Sequence, residues 1–294
     1  MRNGFVRARR PYHRLRVMFG MGMNRIDDIF AELRGNGKTA LMPFVTAGYP
    51  DLETTAALLP ALGDAGASIC EIGIPFSDPI ADGPVIAASM HDALERGFDI
   101  EKMFAMIGEV RDRTSMGLVA MVSYSIVHRY GLGDFVGRCA EVGFDGFIFP
   151  DLPVEESGEA REVVAAAGMS CSLLIAPNTA DDRAREIARA STGFVYLLAR
   201  VGITGERSDV PEIGGLVERL RVDEGGMDTP IACGFGIGSA EAVRAVTQHA
   251  DAAIVGSAIV KRMAVMVEDG VGREEMVERV GEFVGELAGG LVGG

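Results

Sequence analysis

A single (β/α)8 TIM barrel is the fold this sequence predicts, and three observations lead to it. From residue 40 onward, short apolar, β-branched runs alternate with longer helical segments, and eight such units over about 250 residues are the pattern of a barrel. Connections are short, and no linker interrupts the series. Chemistry-bearing residues collect at the carboxyl ends of the runs, the rim where barrels carry function. A doubly wound open sheet shares the alternation and stays open as the competing architecture.

The elements follow in order. An extra N-terminal helix starts around Asn24-Arg-Ile-Asp27. Strands are expected at 40–46, 68–73, 118–122, 146–149, 171–175, 193–198, 230–233 and 252–255. Helices are expected at 52–65, 84–94, 100–113, 133–142, 154–167, 179–190, 211–221, 239–248 and 273–288. Several carry start signals: Asp51 after Pro50, Pro153 with Glu155 and Glu156, Asp181 with Asp182, and Ser239 with Glu241. Gly256-Ser257 opens a further, short helix. Residues 23–288 thus read as one domain, and the glycine-rich 289–294 as a flexible tail. Residues 1–22 hold six arginines and no acid, but lack serine and an apolar stretch. They read as a disordered extension, or as an upstream start codon taken in error, rather than as a targeting segment.

Composition narrows the partners. The chain is 48% apolar and 24% charged, enough for one substantial core, and no apolar run reaches the length of a membrane span. Net charge is −14, and removing the six arginines of residues 1–22 leaves −20 on the rest. That argues against nucleic acid or an anionic membrane as a partner, though not against a small anionic substrate. Cys70, Cys139, Cys171 and Cys233 are scattered without CxxC spacing, as expected of buried free thiols in a reducing, cytoplasmic setting. Of the histidines, His13 lies in the extension, His91 and His249 on helix surfaces and His128 in a loop. They form no metal-ligand spacing, so no metal is expected and the chemistry reads as cofactor-free.

The segment from Glu71 to Pro84, Glu-Ile-Gly-Ile-Pro-Phe-Ser-Asp-Pro-Ile-Ala-Asp-Gly-Pro, places three carboxylates where a buried strand opens into a loop. Glu71 ends its strand, so its side chain can enter the barrel mouth among Phe44, Ile74 and Ile86. Desolvation there would raise its pKa and suit it to proton transfer. Asp82, kept ionised, can accept a hydrogen bond or balance positive charge; its plainer reading is a helix N-cap. Asp78 before Pro79 reads as a turn residue. The barrel rule adds Tyr124, Asp151, Asn178, Arg200 and the 234–236 turn to the same rim.

Late segments suggest an anion site. Gly234 and Gly236 allow backbone N–H groups to approach an oxyanion, and Gly256-Ser257 begins a helix whose positive end favours phosphate. Each alone could be a simple turn or cap, but their place after the seventh and eighth strands makes phosphate the better reading. The polar segment 197–209, with glycines at 202 and 205, has the bending points of a lid.

These residues resemble a known family. The 71–84 segment is similar to the signature of the tryptophan synthase α subunit. So are Pro43-Phe-Val-Thr-Ala-Gly-Tyr-Pro50, Asp151-Leu-Pro-Val-Glu-Glu156, the segment from Tyr196 to Gly205, Gly234-Phe-Gly236 and Gly256-Ser257-Ala-Ile-Val260. The resemblance spans residues 24 to about 285 in family order. It implies a TIM-barrel lyase that cleaves indole-3-glycerol phosphate to indole and glyceraldehyde 3-phosphate by a retro-aldol reaction. Glu71 would protonate indole C3 and help remove the hydroxyl proton, while Asp82 would hold the indole N–H. Phe44, Tyr124 and Tyr196 would line the indole pocket or support Glu71. Gly205, Gly236, Gly256 and Ser257 would bind phosphate, and Thr204 would steady Asp82. The resemblance further implies an αββα complex in which a β subunit carries the pyridoxal phosphate and receives the indole, with loop 74–83 and the lid facing it. The stretch from Ser123 to Tyr130 lacks the family's Asn-Pro, and Ala199 replaces a frequent serine. Two other readings remain: a non-catalytic partner that activates the β subunit, and another phosphate-binding barrel enzyme, which leaves the 71–84 signature unexplained.

Overall fold

The computed structural model describes residues 24–77, 79, 83–199, 213–221, 228–234 and 236–293. Its strands are β1 (Ala40–Thr46), β2 (Ile69–Gly73), β3 (Gly117–Met121), β4 (Gly146–Ile148), β5 (Ser170–Ser172), β6 (Leu174–Ile175), β7 (Val195–Leu198), β8 (Ile231–Gly234) and β9 (Ala252–Val255). All pair in parallel in the order β5-β4-β3-β2-β1-β9-β8-β7-β6. β5 and β6 fill one barrel position, bent at Leu173, whose carbonyl still accepts the Tyr196 N–H at 3.0 Å. The eight expected strands are therefore present, and the open-sheet alternative falls.

Between them run α1 (Arg25–Gly35), α2 (Leu52–Asp64), α3 (Pro84–Glu95), α4 (Ile100–Val110), α5 (Tyr124–Tyr130), α6 (Leu132–Val142) and α7 (Gly158–Ala166). The second half adds α8 (Asp181–Ala190), α9 (Gly214–Arg221), α10 (Ala240–Thr247), α11 (Ser257–Glu268) and α12 (Arg273–Ala288). Start signals act as their chemistry requires: Asp51 accepts the Thr54 N–H at 2.6 Å and Ser239 the Ala242 N–H at 3.2 Å. The N-cap position of α3 is Gly83, not Asp82, and Pro84 opens the helix without a side-chain cap.

Four expectations need correction. The helix expected from 154 starts at Gly158, because Pro153 and Val154 make a turn first, with their carbonyls bonded to Glu156 and Ser157 N–H. His128 lies on α5 rather than in a loop. The helix opened by Ser257 is long, 12 residues. The chain end is also held: Val292 N–H donates to Thr39 Oγ1 at 3.2 Å, and Thr39 Oγ1 lies 3.3 Å from the Val292 carbonyl, so residues 289–293 pack beside β1 despite their glycines. The segment 1–22 lies outside the described residues.

α1 closes the amino end of the barrel. Arg25 at its start pairs with Asp145 at 3.5 Å, and Arg34 near its end pairs with Asp251 at 2.8 Å, so the helix spans the opening. Its buried Ile26 and Phe30 face inward, and the Phe30 and Phe194 ring centroids lie 6.1 Å apart. A Cβ on Gly117 would lie 2.4 Å from Ile26 Cδ1, so only glycine leaves room for that plug.

Strand register identifies the inward face. Phe44 pairs with Glu71, Glu71 with Val119, Gly73 with Met121, and Met121 with Ile148. On the other side Tyr196 pairs with Ala232 and Ala232 with Ala252. Side chains alternate along a strand, so residues in register share a face.

Candidate active site at the barrel mouth

Glu71 is the middle residue of β2 rather than its last, two before the carboxyl end; it is only 1% exposed, between Phe44 of β1 and Val119 of β3 in register. Two residues on, Gly73 carries no side chain because Phe44 lies across it: a Cβ there would meet Phe44 Cζ at 2.4 Å and Met90 Cε at 3.2 Å. Phe44 also backs the turn after β9, since a Cβ on Gly256 would lie 3.3 Å from both Phe44 Cβ and Ile86 Cδ1. Across the barrel, the Tyr196 hydroxyl lies over Gly234, 2.7 Å from where a Cβ would stand. Glu71, Phe44, Tyr196, Gly234 and Gly256 thus share one rim.

The turn after β9 has the chemistry of an anion cradle. Gly256 is the N-cap of α11 and no side chain caps the helix, so its first N–H groups and positive dipole end point outward from the strand end. Gly236, with φ of 80°, follows β8 in the left-handed region that glycine tolerates. Ser257, half-buried, is the first residue of α11.

Tyr124 is placed elsewhere. It begins α5, past the end of β3, where its N–H donates to Asp151 Oδ1 at 2.8 Å. Its ring meets Phe149 edge-on at 5.8 Å, and Phe149 stacks on Phe147, which packs against Phe135 of α6. Tyr124 therefore packs on the helix side of the barrel wall. The position in β3 that shares Glu71's face is Met121, 5% exposed, which sequence reasoning missed. Counting by twos from Val119 would have found it. Asp82, Thr204 and Gly205 lie outside the described residues, as do Asp78 and Arg200.

Beside the mouth runs a cleft of about 770 Å3, lined by Pro75, Phe76 and Ser77 after β2, by Ser123 that caps α5 and Ser125, Ile126 and Arg129 within it, and by Leu94, Pro150 and Asp151. Asp151 fixes one wall, accepting from Ser123 Oγ at 2.6 Å as well as from Tyr124 N–H. A second cleft, about 560 Å3, lies away from the mouth between α11 and α12. All four cysteines are free and buried. Burial pushes the Cys171 and Cys233 thiols up to about 12, and burial with the neighbouring Glu71 raises Cys70 further.

The model of a known family, described as the tryptophan synthase alpha chain, matches residues 30–291. The chain belongs to that family. The alpha chain of Alkaliphilus metalliredigens is 38% identical over 262 residues, 89% of this chain and 96% of that one. The alpha chain of Rhodopirellula baltica is 40% identical over 249 residues, 84% and 89% respectively. Among solved structures, Mycobacterium tuberculosis tryptophan synthase superposes with a TM-score of 0.81 at 31% identity, covering 92% of this chain and 98% of that chain. The tryptophan synthase complex of Pyrococcus furiosus gives 0.76 at 35% identity, with 86% and 99% covered. Every candidate residue of this alpha-chain family member lies within the matched span.

Proposed function

We propose that this chain is the lyase of tryptophan synthesis that cleaves indole-3-glycerol phosphate to indole and glyceraldehyde 3-phosphate. The observation that carries the reading is a buried glutamate on the inward face of β2, on the rim that also holds the uncapped N-terminus of α11. The phosphate binds at Gly236, Gly256 and Ser257, joined by Gly205 of the lid segment. The indole lies against Phe44, Met121 and Tyr196. Met121 takes the place first given to Tyr124.

Glu71 delivers a proton to indole C3, leaving an indoleninium-like ring whose N–H is held by the Asp82 carboxylate, which Thr204 steadies. Glu71, now a carboxylate, takes the proton of the adjacent side-chain hydroxyl. As that O–H bond breaks, a C=O bond forms, the carbon–carbon bond opens, and its electron pair returns to the ring. Both protons travel on a carboxyl group, so the step draws on no cofactor of this chain; the pyridoxal phosphate that the family resemblance implies belongs to a β subunit. The cleft beside the mouth suits the docking of that subunit in an αββα complex, with indole passing across. Work with cytoplasmic metabolites fits this role, and among the described residues no helix is long and apolar enough to cross a membrane.

The test is indole release from indole-3-glycerol phosphate, with and without a β subunit, by the wild type and Glu71→Gln. Wild-type turnover should fall by about 10²–10⁴-fold in the variant, the usual range for loss of a positioned acid–base group. A silent wild type in the presence of β defeats the lyase reading. A rise in β-chain activity alone favours the activator reading.

A further inference from the structure

Two buried hydroxyls at the mouth end of β1 and on α3 take no part in the chemistry above. Thr46 ends β1, and Ser89 lies in the second turn of α3; they are 1% and 2% exposed. Their oxygens are 2.6 Å apart, and Ser89 Oγ is 2.7 Å from the Ile86 carbonyl. Proton counting gives the pair a direction. The Ile86 carbonyl can only accept, so Ser89 spends its single proton there, and the bond between the hydroxyls must then be donated by Thr46. The result is a one-way chain from Thr46 through Ser89 to Ile86.

What the chain seats is α3. Ile86 backs Gly256 at the phosphate turn, and Met90, next to Ser89, backs Gly73 two residues beyond Glu71. One helix therefore touches both halves of the mouth, and its height against β1 is set by a bond between two buried hydroxyls. Apolar packing alone fixes helix position loosely, because Leu-like and Met-like contacts tolerate sliding; a buried directional bond does not, since breaking it orphans its partner.

We propose that Thr46 and Ser89 are positioning residues that hold α3 at the height where Ile86 and Met90 keep Gly256 and Gly73 in reacting register. This rests on the lyase reading, in which phosphate and Glu71 grip opposite ends of one substrate. A displacement that leaves both grips intact but shifts one relative to the other costs orientation rather than affinity.

The test compares Thr46→Val, which keeps the volume and removes the donor, with Thr46→Ser, which keeps the donor and removes a methyl group. With the β subunit present, Thr46→Val should lower kcat about 10-fold, with KM within about twofold of wild type, and Thr46→Ser should stay within about twofold in both. A purely structural role predicts instead that both variants lose thermal stability while kcat is unchanged. Equal kcat in the two variants overturns the proposal. Amide exchange over residues 87–90 provides a readout independent of turnover. It should quicken in Thr46→Val and in Ser89→Ala but not in Thr46→Ser, and unchanged exchange overturns the proposal whatever the assay shows. A wild type that releases no indole, with exchange responding as expected, condemns the lyase reading and leaves the seating of α3 standing.

Discussion

Gly73 shows how much of this site is set by what is missing from a residue. With a Cβ at 2.4 Å from Phe44 Cζ and 2.6 Å from Cε2, alanine at that position would drive the ring from its place. The ring cannot move freely, because the Phe44 backbone is paired with β2 and its Cβ backs Gly256. Gly73→Ala should therefore lower kcat/KM for indole release by about 10-fold or more, equivalent to about 1.4 kcal/mol in the barrier. Steady-state kinetics with a melting curve measures it; full activity in a folded variant would mean that the ring has room. Glu71 and Phe44 were legible in the sequence because both lie inside apolar runs whose two-residue period fixes the face. Tyr124 lies off that face because the chain leaves β3 at Met121 and turns at once into α5. The turn is held by Ser123 and by Asp151, 28 residues away from it. A contact of that separation leaves no trace in local periodicity. Met121→Ala should weaken turnover several-fold, whereas Tyr124→Leu should act on stability through Phe149 and leave kcat within about twofold. Reversed outcomes, read from the same kinetics, would return Tyr124 to the pocket.

Among the elements, α1 has the clearest physical task. A barrel of parallel strands has two open ends; the carboxyl end is needed for substrate, so the amino end must be filled from outside the repeat. α1 does this with Ile26 and Phe30, and it is aligned by the Arg25–Asp145 and Arg34–Asp251 pairs at its two ends. Asp251 also accepts the Ile231 N–H at 2.8 Å and the Arg221 guanidinium at 2.7 Å, so the same acid orders β8 and α9. Gly117→Ala would push a methyl group into Ile26 and should destabilise the fold by about 1–3 kcal/mol, the range for overpacking a filled core. Urea unfolding checks this, and an unchanged midpoint would show that α1 yields without cost. That α1 exists was readable from its position before the first strand; that it plugs the barrel was not, since this depends on glycines at 117 and 193, far along the chain. The bend at Leu173 was hidden likewise, because residues 171–175 read as one uninterrupted strand.

For the whole molecule, the mouth and the cleft share one loop. Pro75, Phe76 and Ser77 leave β2 just beyond Glu71 and form a wall of the cleft. A partner seated there would press on the segment that carries the acid, which connects docking to catalysis without a separate relay. The cleft has the makeup of a binding surface, with apolar Phe76, Ile126 and Leu94 near an exposed arginine, Arg129. Arginine and aromatic residues carry a large share of binding energy at such surfaces. Arg129 is exposed on α5, outside the strands of the barrel, so Arg129→Glu should fold normally and keep the indole release proposed for the chain. Its affinity for the β subunit should fall by about 10-fold or more, and the increase in turnover on adding β should be lost in parallel at limiting β concentration. Calorimetric titration with β, beside the kinetic titration, measures both. Unchanged affinity would move the docking face off this cleft. Weakened affinity with undiminished stimulation at saturating β would place docking there while showing that Arg129 only holds the partner, leaving the β2 loop to convey its effect on Glu71.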